Sequence, residues 1–166
     1  LYFLLKIYRK FLMKTSINKL QIKTEKFFDI IDLTSEVEKF LEKISAKDGL
    51  VNVFTRHTTI AIKINEKEAG FFNDLRKKIF EEIVNPKDEY QHNDIYHRDP
   101  ETICPTSGGM DCKNGHSHIA QMLLGSASET IPVENGKMLL GQWQRILMFE
   151  LDRPRSREIV ISFNGN

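Results

Sequence analysis

Residues 50–65 read LVNVFTRHTTIAIKIN. Val51 and Val53 alternate with their neighbours, and Ile60, Ile62 and Ile64 do the same a few residues on. A period of two is the mark of strands with one buried face. Between the two halves, Arg56-His57-Thr58-Thr59 sets four polar side chains in a row. A break in an otherwise consistent pattern is where function is expected.

Working outward, the β texture recurs at both ends of the chain. Residues 14–23 carry Ile17, Leu20 and Ile22 and read as a strand, and Phe27 to Ile31 as a second. Segments 128–133, 137–150 and 157–163 are also β-like, and Asn135-Gly136 between the first two signals a tight hairpin. Two principal helices interrupt the strands. Ser35-Glu36-Val37-Glu38 fits a capping box opening a helix over 35–45, with Val37, Phe40, Leu41 and Ile44 on one face. Residues 68–84 form the longer helix, with Phe72, Leu75, Ile79 and Ile83 in a stripe and Pro86 closing it. A short helix from about Ser117 to Leu124 ends at Gly125. The expectation is one α+β domain, an antiparallel sheet sandwich with two principal helices, over residues 13–166.

The chain has 166 residues, enough for one domain that buries its own core. Its net charge of +1 supplies no field that would recruit nucleic acid or a membrane. Residues 1–12, LYFLLKIYRKFL, are too short to span a bilayer and are interrupted by basic residues. They read as an extension outside the domain, which starts at Met13. Cys104 and Cys112 show no C-x-x-C spacing and no secreted disulfide framework, which points to a cytoplasmic protein. Thiols, a loop disulfide and an accessory metal contact all fit these two.

Residues 85–115 lack apolar periodicity, and a loop that long usually serves a function. The chain's five histidines, His57, His92, His97, His116 and His118, all fall between the polar break and the short helix. Imidazole is the commonest metal ligand, and three of them leave positions open for water or substrate. Spacing alone does not assemble them, because no H-E-x-x-H or Cys-His ribbon is present. His116 and His118 share a face on a strand but diverge on a helix. Ser107-Gly108-Gly109 lacks the Lys-Ser/Thr of a phosphate loop and reads as flexible loop.

Several motifs together resemble a known family. His57-Thr58-Thr59 with Ile64-Asn65-Glu66, Tyr90-Gln91-His92, His118 through Leu124-Gly125-Ser126, and Ile131-Pro132-Val133 to Trp143-Gln144 occur in order. Glu150-Leu151-Asp152-Arg153-Pro154-Arg155-Ser156-Arg157 closes the series. The set resembles the YjbQ family, often labelled secondary thiamine-phosphate synthase, over residues 14–163. The longer loop over 93–115 and Gln142 before Trp143 depart from its pattern. The resemblance implies a cytoplasmic homotrimer with a divalent metal on His57, His92 and His118, His116 being the undecided fourth ligand and His97 a bystander. Zn²⁺ suits these ligands; Mg²⁺ is the alternative with a diphosphate substrate.

The activity so implied is a metal-assisted transferase that joins hydroxymethylpyrimidine diphosphate to thiazole phosphate and releases pyrophosphate. A metal-dependent hydrolase, with Glu66 or Asp94 as catalytic proton shuttle, and a non-catalytic metal- or small-ligand-binding trimer are the alternatives. Thr58, Thr59, Asn65, Gln144, Arg153 and Arg155 are the candidates for holding a small phosphorylated substrate, guanidinium forks being suited to phosphate. Each also has a plainer reading: β propensity for the threonines, a helix entry for Asn65 and Glu66, a solvated edge for Arg153, Arg155 and Arg157. Trp143 is expected to pack in the core.

Overall fold

The computed structural model describes residues 13–104, 109 and 112–166. Residues 1–12 and most of Ser107-Gly108-Gly109 therefore lie outside the described residues. Strands β1 (Lys14–Lys23), β2 (Ile30–Asp32), β3 (Gly49–Thr55), β4 (Ile60–Glu66), β5 (Ser128–Glu134), β6 (Lys137–Met138), β7 (Gln144–Glu150) and β8 (Ser156–Gly165) form two antiparallel sheets. The larger has the order β1-β8-β3-β5-β6 and the smaller β2-β7-β4. Helices α1 (Thr34–Lys43), α2 (Ala69–Lys77) and α3 (Gly115–Leu124) complete the described fold. This is the α+β antiparallel architecture expected, with α3 as a third helix.

The period-two pattern explains the layering. Val51, Val53, Ile131, Val133, Ile159, Ile161 and Phe163 point inward from the large sheet, onto Ile60, Ile62, Ile146 and Met148 of the small sheet. Helix α1 adds Val37, Phe40 and Leu41 to that core. The opposite face of the small sheet presents Ala61, Leu147 and Phe149 to Ile79, Phe80 and Ala120 from the helical layer. The small sheet is thus covered on both faces, which is why Ile146 to Phe149 is an unbroken apolar run rather than an alternating one.

Several boundaries moved, each for a local reason. Helix α1 starts at Thr34, and no side chain caps it at Leu33, so the Ser35–Glu38 box does not form. Thr34 is taken up instead by the core, its N–H donating to Asp32 Oδ1 and its hydroxyl accepting from Ile146 N–H. Only Ile30–Asp32 of the expected 27–31 strand pairs, because Phe28 turns the chain in the left-handed region at φ 54°. Helix α2 widens into a π-helical turn over Lys78–Ile83. That extra residue rotates the stripe, burying Ile79 and Phe80 and leaving Ile83 61% exposed. Asn135 and Gly136 do make the tight hairpin, with φ of 51° and 78°, but the 137–150 segment divides between two sheets. Trp143 lies in the connecting stretch and is 66% exposed, not a core anchor.

The chain passes between the sheets at three places that meet at one end: after β1, between β3 and β4, and between β7 and β8. Polar groups tie these crossings. Glu150, fully buried at the end of β7, takes a two-pronged bond from Arg157 of β8, Nε to Oε2 at 2.7 Å and a terminal nitrogen to Oε1 at 2.6 Å. Thr24 adds its hydroxyl to Glu150 Oε2 at 3.0 Å, and Asp152 N–H donates to Oε1 at 3.1 Å. Leu151 N–H reaches Thr59 O, and Arg157 also contacts Thr59 Oγ1 at 3.4 Å. The three crossings at this end are thereby fastened to one carboxylate–guanidinium pair.

Breaking a buried pair from one side leaves an uncompensated charge and costs about 3–5 kcal/mol, whereas replacing both partners costs much less. Glu150→Gln and Arg157→Met should each lower the urea midpoint by that equivalent, and the double variant should lie nearer the unaltered protein. Single changes within about 0.5 kcal/mol, the range of ordinary surface substitutions, would show that the pair does not hold the crossings together.

Candidate functional site

Above this fastened end lies a pocket of about 320 Å³. The β3–β4 crossing contributes Arg56, His57, Thr58 and Thr59, and the β7–β8 crossing contributes Arg155 and Arg157. The polar break in the 50–65 stretch is therefore the point where the chain changes sheets and also the pocket's edge. The long loop and the start of α3 close the other side with His92, Arg98, Asn114 and His118, next to Thr102, Cys104 and Cys112. Among the described residues, no Asp or Glu lines the cavity.

Arg98 organises that loop. One terminal nitrogen donates to the His92 carbonyl at 3.0 Å and the Cys112 carbonyl at 3.3 Å, and the other to the Thr102 carbonyl at 2.7 Å. Three loop segments so converge on one guanidinium, where two short 3-10 turns, Gln91–Asn93 and Pro100–Thr102, stand in place of longer helix. Asn93 Oδ1 accepts from Gly115 N–H at 2.9 Å, binding the loop to α3. Gly115 is required there: a Cβ would stand 2.7 Å from Tyr90 Cβ and 3.2 Å from His92 Cβ. Arg98 gave no signal in the sequence, since one arginine in an aperiodic loop has no pattern; Asn114 was equally undistinguished as a pocket residue.

His57, His92 and His118 do share the pocket, and the His92 and His118 rings lie 4.5 Å apart between centroids. They do not form a ready three-ligand centre. His57 Nε2 accepts the Glu158 N–H at 3.0 Å, and His92 Nε2 faces an Arg98 nitrogen at 3.3 Å, which can only donate. Both nitrogens have their lone pairs engaged, and among the described residues no three His, Cys, Asp or Glu side chains are grouped to hold a metal. His116 is turned out of the pocket. Its ring lies 6.0 Å from Phe27 and 6.2 Å from Tyr90, with Nε2 3.0 Å from Ser117 Oγ. His118 lies two positions further along the helix, so the two rings diverge.

Burial depresses all three pocket imidazoles. For His57 the next cause is the Arg157 charge, partly opposed by Glu150 and Glu158. For His92 it is Arg98, opposed by contact with the Asn114 side chain. His118 is held down by burial first and then by His92 and Arg98, against Asp152.

The remaining expected site residues separate cleanly. Thr58 stands exposed at the pocket and Thr59 buried beneath it. Arg155 lines the pocket and donates to Asp152 Oδ2 at 3.0 Å, while Arg153 contacts Asp152 Oδ1 at 3.4 Å without lining it. Asn65, Glu66 and Gln144 are elsewhere. Glu66 pairs with Gln144 at the far end of β4, six residues beyond Ile60 and so about 20 Å along the strand. Asn65 Oδ1 accepts the Glu66 N–H, and Glu68, not Glu66, caps α2 by accepting from Gly70 and Phe71 N–H. Asp94 is exposed beside His97, Oδ2 to Nδ1 2.7 Å, and lines a separate shallow cavity. Neither carboxylate expected to shuttle protons reaches this pocket.

The chain matches the family model described as UPF0047 protein YjbQ-like over residues 18–166. A UPF0047 protein of Methanothermobacter thermautotrophicus is 37% identical over 153 residues, covering 92% of this chain and 94% of that protein. One of Archaeoglobus fulgidus is 38% identical, covering 86% and 97%. A crystal structure from Sulfolobus solfataricus, described as a YbjQ-like protein of unknown function, superposes with a TM-score of 0.79 at 32% identity, covering 93% of this chain and 100% of its own. These findings correct the expected activity. The relatives are described by a family designation or as of unknown function and none as a thiamine-phosphate synthase, and among the described residues the histidines do not assemble the metal centre on which the transferase, the hydrolase and the metal-binding trimer all rested. Among the described residues no helix is long and apolar enough to cross a membrane.

The depressed histidines link stability to pH. A ring whose folded pKa lies below its unfolded value of 6.5 leaves the unfolded chain binding more protons in that window. Stability from this source is complete above about 6.5 and is lost as pH falls through the folded values. The thermal midpoint should drop on acidification across that range, and His118→Gln, which removes one titrating ring, should flatten the drop. An identical pH profile in the variant would mean that His118 is not held neutral by the fold.

Proposed function

The chain belongs to the YjbQ-like UPF0047 protein family, and on that premise we propose that its cationic pocket binds a small phosphorylated molecule through the phosphate oxygens. The observation that carries this reading is the lining itself: four guanidiniums, three threonine hydroxyls and three imidazoles, with no carboxylate among the described residues. Not all of the charge is available. Arg157 is matched by Glu150, Arg155 by Asp152, and Arg56 by Glu158 at 3.5 Å. Arg98 differs, because its partners are three carbonyls and a ring nitrogen, all neutral, so among the described residues no carboxylate compensates its positive charge at the wall. A half-enclosed wall of low polarisability strengthens such a charge towards an anion. A volume of about 320 Å³ suits a phosphate on a compact body.

In this reading Arg98 draws the phosphate in, Thr58 donates at the mouth, and Arg155 sets the far side. His92 and His118, neutral at physiological pH, become better bases beside a bound anion, whose charge favours their protonated forms. They are the groups that would move a proton at the ligand. Anion binding of this kind uses the protein's own cations. A Zn²⁺ ion on the His92–His118 pair would need water or ligand oxygens for its other positions, and the described residues of the pocket offer Mg²⁺ no carboxylate.

Titration calorimetry with inorganic phosphate on chelator-treated protein tests the proposal. Binding should be saturable and weaken with salt. Arg98→Gln should weaken it by at least about tenfold, the worth of a charge-assisted hydrogen bond, and Arg98→Lys should recover part of the loss if charge rather than loop order is at stake. Absence of phosphate binding by the unaltered protein, or binding indifferent to Arg98, would refute the reading.

A further inference from the structure

The three imidazoles of the pocket are not equivalent. His57 Nε2 accepts the Glu158 N–H, so the neutral ring carries its proton on Nδ1 and has no lone pair left to offer. His92 is held at both edges: Nε2 faces an Arg98 nitrogen at 3.3 Å, and the Asn114 side chain hydrogen-bonds to the ring. His118 differs. Among the described residues its ring makes no hydrogen bond, and neither ring nitrogen is sealed from water. Its backbone N–H on the Asn114 carbonyl at 3.4 Å and the His92 ring, 4.5 Å away between centroids, set its place on the pocket wall. Burial, and after it the neighbouring His92 and Arg98, keep the ring neutral, so one of its nitrogens carries an open lone pair there.

An imidazole in this state is a nucleophile when an electrophilic centre is held beside it. In the anion-binding proposal above that centre is phosphorus, and guanidiniums on the phosphoryl oxygens offset the negative charge that would repel a lone pair. Resting on that proposal, we infer that His118 is a catalytic residue that accepts the phosphoryl group of a bound acyl phosphate. The ring nitrogen forms an N–P bond as the P–O bond to the acyl group breaks. The carboxylate leaves with the electron pair, and the ring N–H proton passes to water. A water molecule then attacks phosphorus; the N–P bond breaks, the ring nitrogen takes one water proton, and hydrogenphosphate departs. The class of leaving group follows from the lining. Among the described residues no carboxyl group stands there to protonate a departing alkoxide, and arginine does not give up its proton. A carboxylate departs without such help.

Acetyl phosphate is the probe. Mass spectrometry of protein quenched in mild alkali, where the N–P bond survives, should place a phosphoryl group on His118, and acetate and phosphate should be released with turnover. His118→Ala, checked for native circular dichroism, should slow turnover by at least about a hundredfold, a modest figure for loss of a covalent nucleophile. Added imidazole should restore part of that rate by taking the phosphoryl group itself, a rescue that a purely structural role of His118 does not provide. Phosphate bound by the unaltered protein, with no phosphoryl group on His118 after acetyl phosphate, would overturn this role and leave anion binding intact. Turnover undiminished in folded His118→Ala would do the same. Failure of the unaltered protein to bind phosphate would overturn both. Labelling of the unaltered protein decides the matter even if the variant does not fold.

Discussion

The ion pair between Glu150 and Arg157 is the constraint on which the rest of this structure depends. Both side chains are buried, and they belong to different sheets, one ending β7 and the other beginning β8. A carboxylate out of water is tolerable only when its oxygens are occupied, and here Arg157, Thr24 and the Asp152 N–H occupy both. The donors come from two crossings between the sheets, and the third, at Thr59, accepts from Arg157 and the Leu151 N–H, so the cost of burying the charge is offset only when these crossings are correctly placed. This gives the sandwich a defined end rather than a frayed one. It also accounts for an acidic and a basic residue at the bottom of an apolar core.

The pocket is a consequence of that end. Where the chain leaves one sheet for the other, backbone direction changes and side chains no longer alternate between core and solvent; Arg56 to Thr59, Arg155 and Arg157 can then face a common space. The aperiodic loop supplies the opposite wall, and its order comes from one side chain, Arg98, satisfying carbonyls that no helix or strand would pair. Asp152 connects the halves, holding Asn114 of the loop side and Arg155 of the sheet side. The two walls therefore share partners, and a ligand meets groups whose positions are already set.

The strands and the layer order were legible because period-two alternation is enforced by burial on one face, as in β3, β5 and β8. The Asn135-Gly136 hairpin was legible because few residues adopt two successive positive φ values. Elements whose form depends on distant partners were not. The π-helical turn after α2 arises from packing Phe80 against Phe27 and Phe28, 4.7 and 5.4 Å between ring centroids, which spacing in the helix itself does not encode. For the site, the histidines stood out by residue type, and three of them do line the pocket. Residue type carries no direction, however, and the nitrogens that would have bound a metal are met by N–H groups from Glu158 and Arg98. Glu66, Asn65 and Gln144 looked close in motif order but lie a strand's length away, because β4 runs from the pocket to the opposite end.

The central claim is that a pocket fixed by buried ion pairs captures a tetrahedral oxyanion between its loop wall and its sheet wall. Diffraction from crystals of the protein soaked in tungstate, read at the tungsten absorption edge, tests this most directly. The account predicts an anomalous peak inside the pocket, within hydrogen-bonding reach of Arg98 and Arg155. Peaks confined to exposed lysines on the protein surface, with the pocket empty, would contradict it.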